Sequence, residues 1–350
     1  IMYKIIHSHP AVRALYAKQL IDEGVCTAAE VEQWIERYRQ HLDEGRQVVE
    51  TLHEGLSAHY AANWTPFINQ EWSMAVDTSV PLPQLKTLGE KICHYPQDFT
   101  LQRQVQGIMN ARQEMMAGKK PLDWGCAETM AYATLINDGH PVRLVGEDSR
   151  RGTFFHRHAT LFDQNTAEEY MPLMNISSDQ ANVHIYDSLL CECAAMGFEY
   201  GYSTAEPNAL VIWEAQFGDF ANVAQVIVDQ FISSGWQKWN RLSGLVLFLP
   251  HGYEGKGPEH SSARLERYLQ LCAQNNMQVC VPTTPAQIFH LLRRQVLRPY
   301  RKPLIVMTPK SLLRHRLAVS SLEDLAQGQL KLLIPEIDEL DAKKVTRIVM

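Results

Sequence analysis

GLVLFLPHGYEGKGPEHSS, residues 244–262, is the stretch that decides the fold. Its first part, Leu245–Leu249, is apolar at every position, and so is Leu304–Met307 in PLIVMTP. A strand that is apolar on both of its faces must be covered on both faces, which favours a mostly parallel sheet between two layers of helices. The sequence therefore predicts an α/β fold whose sheet carries helices on both faces.

Strand-like and helix-like segments alternate on both sides of this stretch from Pro121 onward. The predicted strands cover residues 141–148, 209–214, 244–250, 277–282 and 303–309. The predicted helices cover residues 123–139, 186–203, 220–235, 262–276 and 284–297. Gly235 is expected to close the third of these helices.

The same patterns divide the chain into four parts. Residues 1–60 are predicted to be helical, with a capping box at Thr27–Glu30. Because the chain opens on Ile1 and ends on the apolar run VTRIVM, we expect it to be a piece of a longer protein. The remaining parts are a linker with helices at 61–117, the α/β domain at 118–318 and a connection to a truncated C-terminal domain at 319–350.

Composition argues against several classes of partner. The 350 residues include 33 basic and 39 acidic side chains, and the net charge of −6 is spread along the chain without long blocks of like charge. This pattern disfavours nucleic-acid binding and a polybasic membrane anchor, and no apolar run approaches the roughly 20 residues that cross a bilayer. The seven cysteines lack C-x-x-C spacing and indicate a cytoplasmic protein with reduced thiols.

Polar and aromatic side chains follow three of the predicted strands. Because ligands of a parallel sheet gather at the carboxyl ends of its strands, we expect these residues to form one site. The glycine-rich loop 251–262 carries two histidines, which indicates binding of an anionic substrate or proton transfer. No metal site is predicted, since two histidines leave a zinc shell incomplete. The residues in question are Glu147, Asp148, Glu214, Gln216, Phe217, Asp219, His251, Glu254 and His260.

Glu192 stands near the start of an otherwise small and apolar helical segment, CECAAMGFEYGY. One interpretation is ordinary helix chemistry, because the helix dipole favours a negative charge at that end. The other is a poorly solvated carboxyl group that hydrogen-bonds a heterocycle nitrogen. The residues alone leave both open.

Long runs of the chain resemble the thiamine-diphosphate enzymes, and most closely the decarboxylase component of bacterial 2-oxoglutarate dehydrogenases. They include GEDSRRGTFFHRHA, FEYGY, WEAQFGDFAN, HGYEGKGPEHSSARLERYLQLC and KPLIVMTPKSLLRH, and the resemblance covers nearly the whole chain. It implies a transketolase-like pyrimidine-binding domain, with residues 1–60 as the tail of the preceding domain.

The resemblance also implies residue roles. Glu192 matches the glutamate that hydrogen-bonds the aminopyrimidine ring of thiamine diphosphate, and it is expected to be catalytic together with His260 and His251. His260 matches a histidine that faces the substrate, and His251 is similar to the second histidine of the transketolase loop. Phe217 looks like the aromatic residue that stacks on the pyrimidine. The other expected cofactor contacts are Asp148, Glu147 and Gln216.

Two features separate this chain from a complete enzyme of that family. The GDG motif that binds the diphosphate and its Mg²⁺ is absent, so the resemblance implies half of a site, completed in a homodimer, and a fragment that is inactive alone. Five positions also depart from the family pattern, and Arg150 is the one expected to disturb ligand approach most. These positions are Cys126, Arg150, Cys191, Cys193 and Val223.

The activity that the resemblance implies is oxidative decarboxylation of 2-oxoglutarate in the citric acid cycle. The succinyl group would pass to the lipoyl group of a dihydrolipoyl succinyltransferase, in a complex that also contains dihydrolipoyl dehydrogenase. Two alternatives stay open: a decarboxylase for another 2-oxo acid such as 2-oxoadipate, and a dimerisation module without catalysis.

Overall fold

A six-stranded parallel sheet forms the centre of the computed structural model, which describes residues 2–46, 62–254 and 257–348. In chain order the strands are β1 (Val142–Gly146), β2 (Leu161–Phe162), β3 (Glu169–Tyr170), β4 (Val183–Asp187), β5 (Leu210–Glu214), β6 (Val246–Pro250), β7 (Gln278–Cys280) and β8 (Leu304–Thr308). The sheet has the order β4-β1-β5-β6-β8-β7, and every neighbouring pair is parallel. Strands β2 and β3 form a separate antiparallel pair.

The chain divides into two compact units, Ile1–Ala61 and Ala62–Met350. The helices of the first unit are α1 (Met2–Ser8), α2 (Val12–Asp22) and α3 (Ala28–Asp43). Those of the second unit are α4 (Leu82–Ile92), α5 (Arg103–Met116), α6 (Trp124–Asn137), α7 (Glu192–Ala205), α8 (Gln225–Ile227), α9 (Gly235–Trp239), α10 (Leu265–Leu271), α11 (Pro285–Leu297) and α12 (Leu322–Gln327). Within the described residues, none of these helices combines the length and the apolar character that a membrane span requires.

Helices cover the sheet on both faces, as predicted, and each face has its own core. Along β5, Leu210 and Ile212 point into one core and Val211 and Trp213 into the other, because successive side chains of a strand alternate between faces. Helices α4, α6 and α11 supply the first core, and α7 and α10 contribute to the second. The continuous apolar strands β6 and β8 are buried at all five positions each, which confirms the α/β prediction.

One strand of the six-stranded sheet, β4, escaped the sequence prediction, as did the short strands β2 and β3. The helix predicted over residues 186–203 begins at Glu192, and its first two predicted residues belong instead to strand β4 (Val183–Asp187) at the edge of the sheet. Tyr186 and Asp187 are exposed at the end of this strand. An edge strand that is only partly buried lacks the continuous apolar run that marked β6 and β8, so periodicity alone assigned its last residues to the helix.

The helix predicted over residues 220–235 is also wrong in form. A 3₁₀ segment (Gly218–Ala224) leads into α8, and a π-helical turn follows at Val228–Ile232. Gly235 does not close this segment but begins α9. The hydroxyl groups of Ser233 and Ser234 donate to the carbonyl of Asp229, at 2.8 and 3.2 Å, and this side-chain bonding competes with a regular helix.

The capping box predicted in the first unit is present at the start of α3. Thr27 Oγ1 accepts from the Glu30 backbone N–H, and Glu30 Oε2 accepts from the Thr27 backbone N–H at 2.8 Å. The predicted helical stretch continues into residues 47–60, which lie outside the described residues. Helices α5 and α6, on the two sides of residue 117, belong to the same unit, and the domain division at that residue stays a prediction.

Arg157 binds two buried carboxylates at once. Its Nε donates to Glu128 of α6 at 2.6 Å, and both Nη atoms donate to Glu214 at the end of β5 at 2.7 Å. All three side chains are at least nine-tenths buried. The same carboxylates accept further hydrogen bonds from Trp124, Tyr132 and Ser149. This network joins α6, β5 and the loop after β1.

Replacing Arg157 with Met is expected to lower the free energy of unfolding by about 3–5 kcal/mol, because two carboxylates would stay buried without their cation. Denaturant titration measures this loss. Arg150→Met is the matched control, since the partner of Arg150 is Glu169, which is half exposed. Arg150→Met should lower the free energy of unfolding by about 1 kcal/mol or less. An equal loss of unfolding free energy in the two variants would contradict a stabilising role for the Arg157 network.

Two histidines flank Arg157 in the loop after β1, and both are held neutral. Burial, followed by the charges of Arg157 and Arg112, holds the pKa of His156 well below its usual value. Burial and then Arg112 lower the pKa of His158 to about 4. Unfolded histidines take up a proton near pH 6.5. The unfolded chain therefore binds more protons than the folded chain between about pH 6.5 and 4.

Because of this difference, the free energy of unfolding should fall as the pH is lowered from about 6.5 to 4. His158→Gln should make that pH dependence shallower, since it removes one of the two groups that titrate only after unfolding. Denaturant titrations at several pH values measure the slope. His94→Gln, which removes an exposed histidine, is the control and should leave the slope unchanged. A slope unaffected by His158→Gln would overturn this account.

Candidate functional site

Strands β1, β5 and β6 are neighbours in the sheet, and the residues that follow them meet at its carboxyl edge. Gln216, after β5, donates from Nε2 to Asp148 Oδ2, after β1, at 3.3 Å. Asp148 has a left-handed backbone with φ of 55° and also pairs with Arg151 at 2.9 Å. Two of the predicted cofactor contacts are therefore in direct contact with each other.

Gly218 allows the turn after β5 to press against the loop after β6. A Cβ atom at this position would lie 2.4 Å from the Ala263 Cβ and 2.6 Å from the Pro250 carbonyl oxygen. Such distances are shorter than any real contact, so only glycine fits without movement of the backbone. This close approach brings Phe217 and Asp219 next to the histidine-bearing loop.

His260 lies within a group of aromatic rings. Its ring stacks on Phe217 with centroids 4.2 Å apart and an angle of 15° between the planes. Phe220 meets His260 edge-on at 5.1 Å, and Phe154 meets Phe217 edge-on at 5.9 Å. We call Phe154, Phe217, Phe220 and His260 the aromatic cluster. The cluster joins the turn after β5, the loop after β6 and the loop after β1.

Asp219 binds the predicted catalytic residue His260. His260 Nδ1 lies 3.1 Å from each carboxylate oxygen of Asp219, and His260 Nε2 lies 3.3 Å from Glu259 Oε1. The sequence places Asp219 at a strand end but contains no sign of its contact with a residue 41 positions away. Sequence reasoning therefore placed Asp219 in the site but did not assign it a role toward His260.

His251 is fixed by a backbone contact instead. Its Nδ1 accepts the Ala263 backbone N–H at 3.0 Å, and burial followed by the Lys310 charge lowers its pKa. Lys310 holds the base of the loop, because its Nζ donates to the Gly252 carbonyl at 2.9 Å and to the His260 carbonyl at 2.5 Å. The two predicted histidines thus lie on one loop whose base is fixed by hydrogen bonds from Lys310.

Glu192 is the first residue of α7, and its carboxylate is half buried. Across the described part of the chain, no hydrogen bond or ion pair engages that carboxylate. Burial, then the charges of Glu192 and Asp148, raise the pKa of Glu147. The three acids therefore gather where α7 begins beside the end of β1, and the Glu192 carboxylate is free to accept a hydrogen bond from a ligand.

Two other predicted strand-end acids have different partners. Glu214 is buried against Arg157 and is not available to a ligand. Glu254 accepts from Ser311 Oγ at 3.2 Å, on the loop after β8. No group of three or more histidine, cysteine or acidic side chains suited to a metal ion occurs in residues 2–46, 62–254 and 257–348.

The residues that depart from the family pattern lie in different environments. Arg150 pairs with Glu169 on the β2–β3 hairpin and lies over the Phe162 ring at 5.2 Å. Its guanidinium is therefore engaged by the hairpin. Cys126 is buried in α6 with its Sγ 3.7 Å from Met116 Sδ, whereas Val223 is exposed.

Comparison with known proteins gives consistent matches. The family model described as transketolase, pyrimidine binding domain matches residues 120–316. The whole chain is 72% identical to the 2-oxoglutarate dehydrogenase E1 component of Coxiella burnetii and 54% identical to that of Azotobacter vinelandii. It is 53% identical to that of Haemophilus influenzae. The chain spans 37% of the length of each of these relatives.

The family match covers the six-stranded sheet and helix α7 with Glu192. It also covers the segments after the strands that carry the aromatic cluster and both loop histidines. It extends over more than half of the 350 residues. The chain therefore belongs to the transketolase pyrimidine-binding domain family.

Proposed function

We propose that this chain is the pyrimidine-binding part of a thiamine-diphosphate-dependent 2-oxoglutarate dehydrogenase decarboxylase. The observation that carries the proposal is the half-buried Glu192 at the start of α7, whose carboxylate has no partner among the described residues. A ring nitrogen that must be held and protonated needs an acceptor of this kind, with no competing partner. The 72% identity to an E1 component over the whole chain supports the same assignment.

The residues present fit one half of the cofactor. Glu192 would hold the aminopyrimidine ring nitrogen, and Phe217 would stack on the ring. His260 already covers one face of Phe217, so the ring would use the other face or displace His260. Gln216 and Asp148 bond to each other and, with Glu147, supply polar groups at the neighbouring strand ends. The diphosphate and Mg²⁺ would be held by a domain outside this chain.

Bound thiamine diphosphate supplies the carbanion chemistry of decarboxylation, while the protein supplies position and electrostatics. Glu192 would keep a proton on the pyrimidine ring nitrogen. His260 would exchange a proton with the substrate and His251 would donate a hydrogen bond to it, while Lys310 would hold the base of their loop in place. In this account the chain's own residues position groups and move protons.

The substrate and partners of the whole protein belong to the same proposal. 2-Oxoglutarate would be decarboxylated in the cytoplasm as a step of the citric acid cycle. The succinyl group would pass to a lipoyl group on a dihydrolipoyl succinyltransferase, with dihydrolipoyl dehydrogenase completing the complex. Another 2-oxo acid, such as 2-oxoadipate, is the neighbouring alternative, and turnover compared across several 2-oxo acids separates the two.

A second copy of the protein would complete the site. Apolar side chains are exposed on α7 and beside it, although α7 itself packs on the sheet. We call these residues the α7 surface, and they are Leu189, Leu190, Phe198, Val223 and Val226. Contact between two such surfaces would bury them and would place the start of α7, with Glu192, at the interface between subunits. The 350 residues alone would then not turn over 2-oxoglutarate.

Glu192→Ala in the full-length protein is expected to lower kcat by about 10²–10⁴-fold, because the ring nitrogen would lose its proton partner. Steady-state decarboxylation of 2-oxoglutarate with saturating thiamine diphosphate measures the loss. Glu206→Gln, at the other end of α7, is the matched control and should keep full activity. Unchanged activity of Glu192→Ala would favour the remaining alternative, a dimerisation module without catalysis.

The double variant Leu189→Asp/Phe198→Asp is expected to dissociate the full-length protein into monomers, since charges would replace the apolar contact. Sedimentation velocity detects the change, and decarboxylation should be lost with it. Leu269→Asp replaces an apolar side chain on α10 that is about as exposed as Phe198, and it should leave the dimer intact. A double variant that stays dimeric would argue against this interface.

A further inference from the structure

His260 is held from three directions. Phe217 lies against its ring, Asp219 binds its Nδ1 and Lys310 binds its backbone carbonyl. Asp219 is only 9% exposed, so its interaction with the imidazole is shielded from water. A ring held by stacking and by a hydrogen bond has one orientation, which places Nε2 3.3 Å from the carboxylate of Glu259. That side chain is 65% exposed, and no hydrogen bond joins it to Nε2 among the described residues.

The partners of the two loop histidines determine where their protons lie. A carboxylate only accepts hydrogen bonds, so Asp219 requires the proton of neutral His260 to be on Nδ1. A backbone N–H only donates, so the contact from Ala263 requires the proton of neutral His251 to be on Nε2. Because Asp219 is buried and hydrogen-bonded to Nδ1, whereas Glu259 is exposed and makes no hydrogen bond to Nε2 among the described residues, the Nε2 of neutral His260 carries a lone pair. The Nε2 of neutral His251 carries a hydrogen.

We propose that Asp219 is the positioning residue that makes His260 the proton acceptor of this site, while the Ala263 backbone makes His251 the hydrogen-bond donor. A substrate group that loses a proton passes it to His260 Nε2, and the resulting imidazolium keeps its Nδ1–H on Asp219. His251 donates a hydrogen bond from its Nε2–H to a group that gains negative charge and keeps its proton, while its Nδ1 stays bonded to Ala263. Only the step at His260 moves a proton, and neither step needs a further reactant.

The assignment of these steps to catalysis rests on the proposed function, but the assignment of the protons does not. Because Lys310 binds the carbonyls of both Gly252 and His260, the loop that carries the acceptor and the donor has a fixed base. Fixed geometry matters here, since a neutral imidazole in solution exchanges between two tautomers and only one of them has a free lone pair on Nε2.

The proton positions can be measured without any catalytic assay. Nitrogen-15 NMR of the full-length protein with labelled histidine distinguishes a protonated ring nitrogen from a bare one, and His260→Gln and His251→Gln assign the signals. We expect a bare Nε2 for His260 and a bare Nδ1 for His251 at a pH where both are neutral. A His260 protonated on Nε2 in the unmodified protein would overturn the proposal.

The catalytic part is tested by a double-mutant cycle. Asp219→Ala should lower kcat for the 2-oxo acid by about 10²-fold in the unmodified protein and cause no further loss in a His260→Gln background. The affinity for thiamine diphosphate should stay unchanged. Asp229→Ala, ten residues further along the chain, is the control and should keep full activity in both backgrounds. A loss from Asp219→Ala that is the same with and without His260 would mean a structural role.

Failure of this proposal and failure of the proposed function give different results. If the protein does not use thiamine diphosphate, Glu192→Ala has no effect, while the NMR signals of His260 and His251 still report the proton positions. If only the role of Asp219 is wrong, Glu192→Ala abolishes activity while Asp219→Ala preserves it. Should Asp219→Ala fail to fold, the NMR measurement on the unmodified protein still tests the proton positions on His260 and His251.

Discussion

The buried contact of Arg157 with Glu128 and Glu214 is the interaction on which the carboxyl edge of the sheet depends. One guanidinium fixes helix α6, the end of β5 and the loop after β1 relative to one another. Buried charges are stable only as a complete set, so the network tolerates little movement. Because Phe154 lies in the same loop, its edge-on contact with Phe217 is fixed together with the network. The position of the aromatic cluster around His260 thus depends on the ion pairs of Arg157.

The sequence predicted the sheet because strands such as β6 are apolar at every position, a pattern that few other arrangements can bury. It also predicted that residues after β1 and β5 would meet, as Asp148 and Gln216 do. It could not tell which acid is available to a ligand: Glu214 is buried against Arg157, whereas the Glu192 carboxylate has no partner among the described residues. Partners such as Asp219 and His260 are set by three-dimensional packing, which local periodicity does not encode.

The proposed half-site accounts for two features at the start of α7. The Glu192 carboxylate has no donor among the described residues, and Leu189 and Phe198 are exposed on the α7 surface. Both features are relieved if a ligand and a second subunit meet at the start of α7. The loop after β6, in contrast, is already finished, since Lys310 fixes its base and each histidine has its own hydrogen-bond partner. Donor and acceptor are therefore set before the ligand arrives.

The central claim is that this chain supplies the pyrimidine side of a thiamine diphosphate site. A structure of the full-length protein with bound thiamine diphosphate tests it most directly. The account predicts a Glu192 carboxylate oxygen within hydrogen-bond distance, roughly 2.6–3.2 Å, of the pyrimidine ring nitrogen, with Phe217 against the ring. A cofactor whose pyrimidine is held elsewhere, with Glu192 facing solvent or another protein side chain, would contradict it.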